Sequence, residues 1–265
     1  MYANENGASR QAAINRAVYE SRGAYRHYLS QLLTPAEIVC LLKYQCHISG
    51  HDVLDIGVGA GRTTRYLAPF ARRYEAIDYS SMMVSMMKRA MPEINVHQAD
   101  FKDLTIFDDS SFDFVFATSN VIDTLPHEDR LQALREVNRV LRTDGILAFS
   151  SHNIHYKGAF RGPQLEWSSN PIRLAYNCAQ YLVCLWNHIR VGPLRKITPD
   201  YALLNDPGHY YACLHYYVGR STVNSQLMSV GLRLSEVFET QGRVAPEFQD
   251  DSDHPSLFYI ARRAA

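Results

Sequence analysis

Three glycines at alternate positions, Gly57, Gly59 and Gly61, follow Asp55 in "VLDIGVGAGRTTRYL" (residues 53–67), between an apolar run and a segment that reads as a helix. A glycine has no Cβ and takes positive φ without strain, so such a turn exposes backbone N–H groups that a ligand can approach closely at a helix N-terminus. The arrangement calls for a nucleotide-like cofactor. In a dinucleotide fingerprint the third glycine would fall at position 62, where this chain has Arg62; the spacing GxGxG, with an acid two residues ahead, argues against NAD or FAD. Two further acids follow strand-like runs, Asp78 in "YEAIDYSSMM" and Asp100 in "VHQADFKDL". At the carboxyl end of a second strand, a carboxylate such as Asp78 can accept hydrogen bonds from both hydroxyls of a ribose.

Histidines supply the second kind of chemistry. An imidazole can take a proton near neutral pH, which suits a general base, and His152 in "FSSHN" stands at the end of an apolar run. His155, His209 and His215 are rivals for that role, and a histidine in this position can equally hydrogen-bond a loop or shape a pocket. The pair His152-x-x-His155 has no third ligand at a recognisable spacing, and the five cysteines (Cys40, Cys46, Cys178, Cys184, Cys213) form no CxxC pair, so no metal is expected and the thiols read as reduced and buried.

The elements that must position these groups fall into zones of different texture. Residues 1–50 read as a helical lead-in, with Thr34 as N-cap, Pro35 at the first helical position and Glu37 as the capping acid of "TPAEIVCLLKYQ". From 51 to 153, short apolar runs such as "DVLDIG", "FDFVFATS" and "GILAFSSH" alternate with amphipathic segments such as "HEDRLQALREVNRVL". That alternation predicts an α/β fold, a doubly wound parallel sheet with helices on both faces. Within it, Met82, Met83, Met86 and Met87 sit at helical spacing and read as core packing. Residues 154–220 break the rhythm with loop punctuation around "IRLAYNCAQYLVCLWNHI", the form of a substrate-binding lid insertion. Over 221–265 the rhythm returns, with a helix ending at Gly231, a strand in "LRLSEVFET" and a last strand in "SLFYIARR".

At 265 residues and 46% hydrophobic content, the chain can bury a full core as one large domain with an elaboration. Lys and Arg number 27 and Asp and Glu also 27, so no surplus positive field draws a phosphate polymer, and nucleic acid is not an expected partner. No run of ~20 apolar residues spans a bilayer, and "MYANENGASRQAA" lacks the regions of a secretion signal, so a cytoplasmic protein without an integral membrane segment is expected. Nothing in the sequence sets an oligomeric state.

Taken in order, the glycine turn, Asp78, Asp100 and "SFDFVFATSNVIDTLPHEDRLQALREVNRVLRTDGILAFSSHN" resemble the class I S-adenosylmethionine-dependent methyltransferases over at least residues 51–153. The junction "VLRTDGIL" stands where many members have "LKPGG", with Thr143-Asp144 in place of Pro-Gly. The resemblance implies a Rossmann-like seven-stranded sheet, mostly parallel with the last strand antiparallel, and S-adenosyl-L-methionine as cofactor. It further implies that the three glycines pass under the methionine part, that Asp55 ahead of them belongs to the cofactor site, and that Asp78, with Tyr79 beside it, holds the ribose. Asp100 would take the adenine amino group beside Phe101, with Met83 as an apolar wall, and Thr118, Ser119 and Asn120 would flank the reactive methyl. Arg62 could meet the methionyl carboxylate, but it reads rather as a solvent-facing charge.

Methyl transfer from a sulfonium needs donor and acceptor close, aligned and dry, and a base only if the acceptor is a hydroxyl. The aromatic and histidine content of the insertion, densest in "NDPGHYYACLHYYVGR", suits a pocket for a polar small molecule through Tyr210, Tyr211, His215 and Tyr217, or else fills the seam between lid and sheet. The expected activity is O-methylation of a saccharide or secondary metabolite. N-methylation of a small amine and a cofactor-binding protein without turnover are the alternatives. An amine-binding enzyme on the same scaffold would need an acidic motif after the fourth strand, where "TSNVIDTLP" offers only Asp123.

Overall fold

The computed structural model describes residues 2–20 and 31–264; residues 1 and 21–30 of the expected lead-in, and residue 265, lie outside them. Helices α1 (Tyr2–Tyr19), α2 (Pro35–Lys43) and α3 (Gln45–Ile48) precede the sheet. Helix α2 begins where its composition dictates. Thr34 Oγ1 accepts the Glu37 N–H at 3.3 Å and Glu37 Oε2 accepts the Thr34 N–H at 2.7 Å, a reciprocal capping box that satisfies two orphan donors.

Strand β1 (Asp52–Ile56) is buried along its whole length and pairs in parallel with β2 (Arg73–Asp78) on one side and β4 (Phe112–Ala117) on the other. Beyond β2 lies β3 (Asn95–Gln98), and beyond β4 lies β5 (Leu141–Asn153), both parallel. Helices α4 (Thr64–Leu67), α5 (Ser81–Ala90) and α6 (His127–Val140) make the crossovers. Side chains alternate between two apolar clusters, with Leu54, Ile56, Val115 and Leu147 in one and Val53, Phe114, Phe116 and Ala148 in the other. Both faces are therefore covered, which is why these strands read as near-continuous apolar runs.

The insertion carries α7 (Pro171–Val191) and three short strands, β6 (Lys196–Ile197), β7 (Tyr201–Leu204) and β8 (His215–Val218), paired as an antiparallel meander. Helix α7 is capped by Asn170, whose Oδ1 accepts the N–H groups of Ile172 and Arg173. The chain then returns through α8 (Arg220–Ser229) to β9 (Leu232–Phe238) and β10 (Ser256–Arg263). Strand β10 runs antiparallel to both β5 and β9, giving the core order 3-2-1-4-5-10-9. These are the seven strands expected, and the insertion adds three more. Its strands are too short and too punctuated by turns to stand out in the sequence.

One pairing places the insertion over the core. His152 of β5 is in register with Ser256 of β10 on one edge and with Tyr217 of β8 on the other, whereas the β4 pairing stops at Phe149. Strand β8 thus takes up the edge that β4 vacates after Ala117, and the insertion stands above the carboxyl end of β4. No described helix is long and apolar enough to cross a membrane.

Candidate active site

Two cavities meet at Tyr19 and Ser119 beyond the carboxyl ends of the strands. The smaller lies over the glycine turn and is lined by Gly57, Gly59, Asp78, Tyr79, Met83 and Thr118, among others. Gly57 has φ +70°, and a Cβ there would fall 2.3 Å from Val121 Cγ2, so the close approach of turn and neighbouring loop requires glycine. Gly59, at φ +53°, donates its N–H to Asp78 Oδ2 at 2.9 Å, while Asp78 Oδ1 accepts the Ser80 N–H at 2.9 Å. Burial pushes the Asp78 carboxyl up to about 6, against the pull of those two N–H groups.

Several residues expected at the cofactor do not line this crevice. Asp55 sits behind the turn, fully buried, with Oδ2 accepting from Thr63 Oγ1 at 2.5 Å and from the Tyr74 hydroxyl at 2.7 Å, and it does not line the crevice. Gly61 faces α5, where a Cβ would meet the Met91 side chain at 3.3 Å. The Asp100 carboxylate turns back to accept the Lys102 N–H at 3.2 Å, and Phe101 packs into the core cluster that holds Leu54 and Val115; neither lines the crevice. Asn120 lines the larger cavity and Ser119 lines both. Arg62 is no solvent-facing charge. Its guanidinium grips the Glu37 carboxylate at 2.6 and 2.7 Å and reaches Ser119 Oγ at 2.6 Å, tying the capping box of α2 to the loop after β4.

The larger cavity, about 860 Å³, lies between β5 and the insertion. Of the residues expected in the lid, His209, Tyr210, Tyr211, His215 and Tyr217 line it, together with His152 from β5. His155 does not: it is exposed, its N–H held by Asn153 Oδ1 at 3.0 Å, because the chain has already left the sheet.

His152 Nδ1 lies 2.7 Å from Asp123 Oδ2, and the same oxygen accepts the His152 N–H at 2.6 Å. Asp123 is completely buried, and its Oδ1 accepts from Arg130 Nη1 and from Ser151 Oγ, both at 2.6 Å. With Nδ1–H donating to this carboxylate, the lone pair stands on Nε2, which points into the cavity 3.1 Å from Asn120 Nδ2. A second carboxylate–histidine pair lies alongside. Asp206 Oδ2 is 2.8 Å from His215 Nδ1 and accepts the Tyr217 hydroxyl at 2.8 Å, and Oδ1 accepts the Gly208 N–H at 2.9 Å. Burial works against either charge, but each outweighs it for the other: the His215 charge holds Asp206 well below the usual carboxylate range, and Asp206 raises His215 well above the ordinary imidazole value. The two imidazoles stack 5.2 Å apart. His152, Asp206 and His215 also bring ligand atoms within 4.8 Å of one another, a metal-sized grouping that the spacing of His152 and His155 does not reveal. Here the Asp206 and His215 atoms are engaged by each other.

Residues 54–149 match a family model described as a methyltransferase domain. The chain is similar to the cypemycin N-terminal methyltransferase of a Streptomyces species, 31% identical over 121 residues, covering 44% of this chain and 49% of that protein. It is also similar to the malonyl-[acyl-carrier protein] O-methyltransferase of Pectobacterium atrosepticum, 29% identical over 141 residues, covering 52% and 53%. The chain spans about half the length of these relatives. Residues 54–149 form a class I S-adenosylmethionine-dependent methyltransferase domain. The fold extends further: the 1,6-didemethyltoxoflavin-N1-methyltransferase of Burkholderia thailandensis superposes with a TM-score of 0.61 at 14% identity, covering 97% of this chain and 91% of that one.

The methyltransferase crevice fits S-adenosylmethionine, the cofactor of such a domain. A buried carboxylate stands at the carboxyl end of β2, bare backbone at Gly59 leaves room that a side chain would fill, and Met83 gives an apolar wall. Sequence reasoning missed Asp206, which looked like loop punctuation in "NDPGHYY", and the support of His152 by Asp123 and Arg130. Arg130 did leave a signal. It falls on the apolar face of α6, in step with Ala133, Leu134 and Val137, where a cation must find a buried partner.

Proposed function

We propose that this chain is an S-adenosylmethionine-dependent methyltransferase that methylates a hydroxyl of a polar small molecule, a saccharide or secondary metabolite, held in the lid cavity. One observation carries the reading: His152 presents Nε2 to the cavity while a buried carboxylate fixes its other nitrogen. The cofactor, when bound, would supply an electrophilic methyl on a sulfonium, which passes to an acceptor in line as the neutral thioether leaves. An amine needs only its own lone pair, whereas a hydroxyl must lose a proton as it attacks. His152 Nε2 takes that proton. Asp123 holds the tautomer and faces the imidazolium that forms, and Arg130, itself fully buried, holds Asp123 in place. The relatives do not choose the atom, since one is named for a terminal-amine position, one for an oxygen and the structural neighbour for N1 of its substrate. The pocket's hydroxyl, amide and imidazole groups support a polar acceptor.

With the true acceptor, His152→Ala should lower turnover by ~10²-fold or more while S-adenosylhomocysteine affinity stays unchanged. A variant that retains most of its rate would move the reading to N-methylation, in which the histidine only shapes the pocket.

A further inference from the structure

Helix α7 is 21 residues long and buries a single residue, Val191. One side of it gives Asn177, Gln180, Tyr181 and Cys184 to the lid cavity. On the other side Ile172, Ala175, Ala179, Leu182, Trp186 and Ile189 are all exposed and follow one another in alternating steps of three and four residues. That is the a/d repeat of a helix–helix seam. The large members are far from covered, with Ile172 83%, Leu182 63%, Trp186 69% and Ile189 63% exposed, and Tyr176 (61%) and Val183 (50%) run beside them. Most helices in proteins owe their stability to packing of such a face, and among the described residues nothing covers this one.

We propose that this stripe is the interface of a two-fold symmetric dimer, in which α7 pairs antiparallel with α7 of a second copy. The order of side-chain sizes selects both the partner and the direction. About an axis between Gln180 and Tyr181 the stripe is a palindrome in spacing, and antiparallel pairing sets Ile172 opposite Ile189, Ala175 opposite Trp186 and Ala179 opposite Leu182. Each of the two alanines faces a large side chain, so the layers interdigitate. Parallel pairing would stack Trp186 on Trp186 and leave two alanine layers empty. A two-fold axis uses the same patch twice, and this patch is its own complement. Antiparallel helices also oppose their dipoles. The size suffices: two aromatic side chains contribute ~150–250 Å² each, and four aliphatic ones at least half exposed bring the seam within reach of the ~800 Å² per partner of a standard interface. Because the opposite side of α7 walls the lid cavity, dimerisation would also hold that wall in place.

Sedimentation velocity and light scattering on the full chain test this. The wild type should be a dimer at micromolar concentration, and Leu182→Glu or Trp186→Ala should weaken dimerisation by about 100-fold or more, with S-adenosylhomocysteine binding retained as the check on folding. Ala175→Trp alone should do the same, whereas the double variant Ala175→Trp/Trp186→Ala exchanges large for small within one layer and should restore the dimer. A wild type that is monomeric at about 100 µM, a concentration at which any standard interface is populated, overturns the proposal. So does a dimer indifferent to Leu182→Glu, or a double variant no better than its parents. Binding of a monomeric wild type to phosphatidylserine vesicles, lost in Leu182→Glu, would assign the stripe to a lipid surface instead.

Discussion

The glycine-turn crevice and the lid cavity share Tyr19 and Ser119 but are built by opposite means. The crevice is centred on groups that follow one another along the chain and are ordered by the parallel sheet: a turn after β1, a carboxylate at the end of β2, and an N-capped helix after it. At its centre backbone N–H donors surround one buried acid, with the polar side chains of Arg62, Thr118 and Ser119 also in its lining. The lid cavity draws together β5, the loop after β4 and several separate parts of the insertion, α7 among them, and it is built around two carboxylate–histidine pairs whose members lie 29 and 9 residues apart. Local geometry makes a site that sequence spacing can announce. A site held by charge pairing across a fold depends on every element that carries a partner.

That contrast is sharpest at Asp206, whose loss should disturb the lid and spare the crevice. Asp206→Asn leaves the buried His215 charge without its counter-ion and should destabilise the protein by ~3–5 kcal/mol in urea unfolding. The effect should depend on pH in a defined way. His215 is raised in the folded state, so its contribution is complete below its unfolded value of 6.5 and fades as pH rises through the higher folded value. Asp206 is depressed, so its contribution is complete above 3.8 and fades as pH falls through the lower folded value. The difference between wild type and variant should therefore be greatest between those two values. An unchanged midpoint for Asp206→Asn in that window would mean that the pair holds nothing together.

The crevice should respond in binding rather than in stability. Asp78→Ala should weaken S-adenosylhomocysteine binding by about 1.5–3 kcal/mol in calorimetry, the cost of losing charge-assisted hydrogen bonds, with the lid unaffected. Equal affinity in the folded variant would sink the cofactor assignment of Asp78. A smaller effect follows from its titration. The carboxyl titrates at about 6 and accepts hydroxyl donors as the anion, so affinity should be flat above that pH and fall by up to tenfold per unit below it. Smallest is the cap of α7. Asn170→Ala should cost ~1 kcal/mol and appear as faster hydrogen exchange within α7 alone; exchange that quickens equally in α5 would show the two regions unfolding together.

Much of the core was legible because its signals are local. "SLFYIARR" is β10 residue for residue, and Thr34 and Glu37 form the capping box their spacing announces. The resemblance also placed Asp55, Asp100 and Phe101 at the cofactor, and in the structure none of the three lines the crevice. Strand alternation and loop direction decide where a side chain points, and Asp55 turns to Thr63 and Tyr74 while Phe101 turns into the core. Arg62 was misread for a related reason, since its partner Glu37 is 25 residues earlier and had already been accounted for as a cap.

The sequence by itself determined the α/β alternation, the glycine turn with Asp78 beyond it and the existence of an insertion, because each follows from periodicity or from a residue's own backbone freedom. Only the tertiary structure decided which histidine faces the cavity and which carboxylate stands behind it. His152 and His155 are three residues apart and alike in type, yet β8 pairs with β5 at His152 and Asn153, and the chain leaves the sheet just after. That pairing keeps His152 over Asp123 and beside Asp206 while His155 is turned to solvent, a distinction that belongs to strand edges and not to sequence spacing.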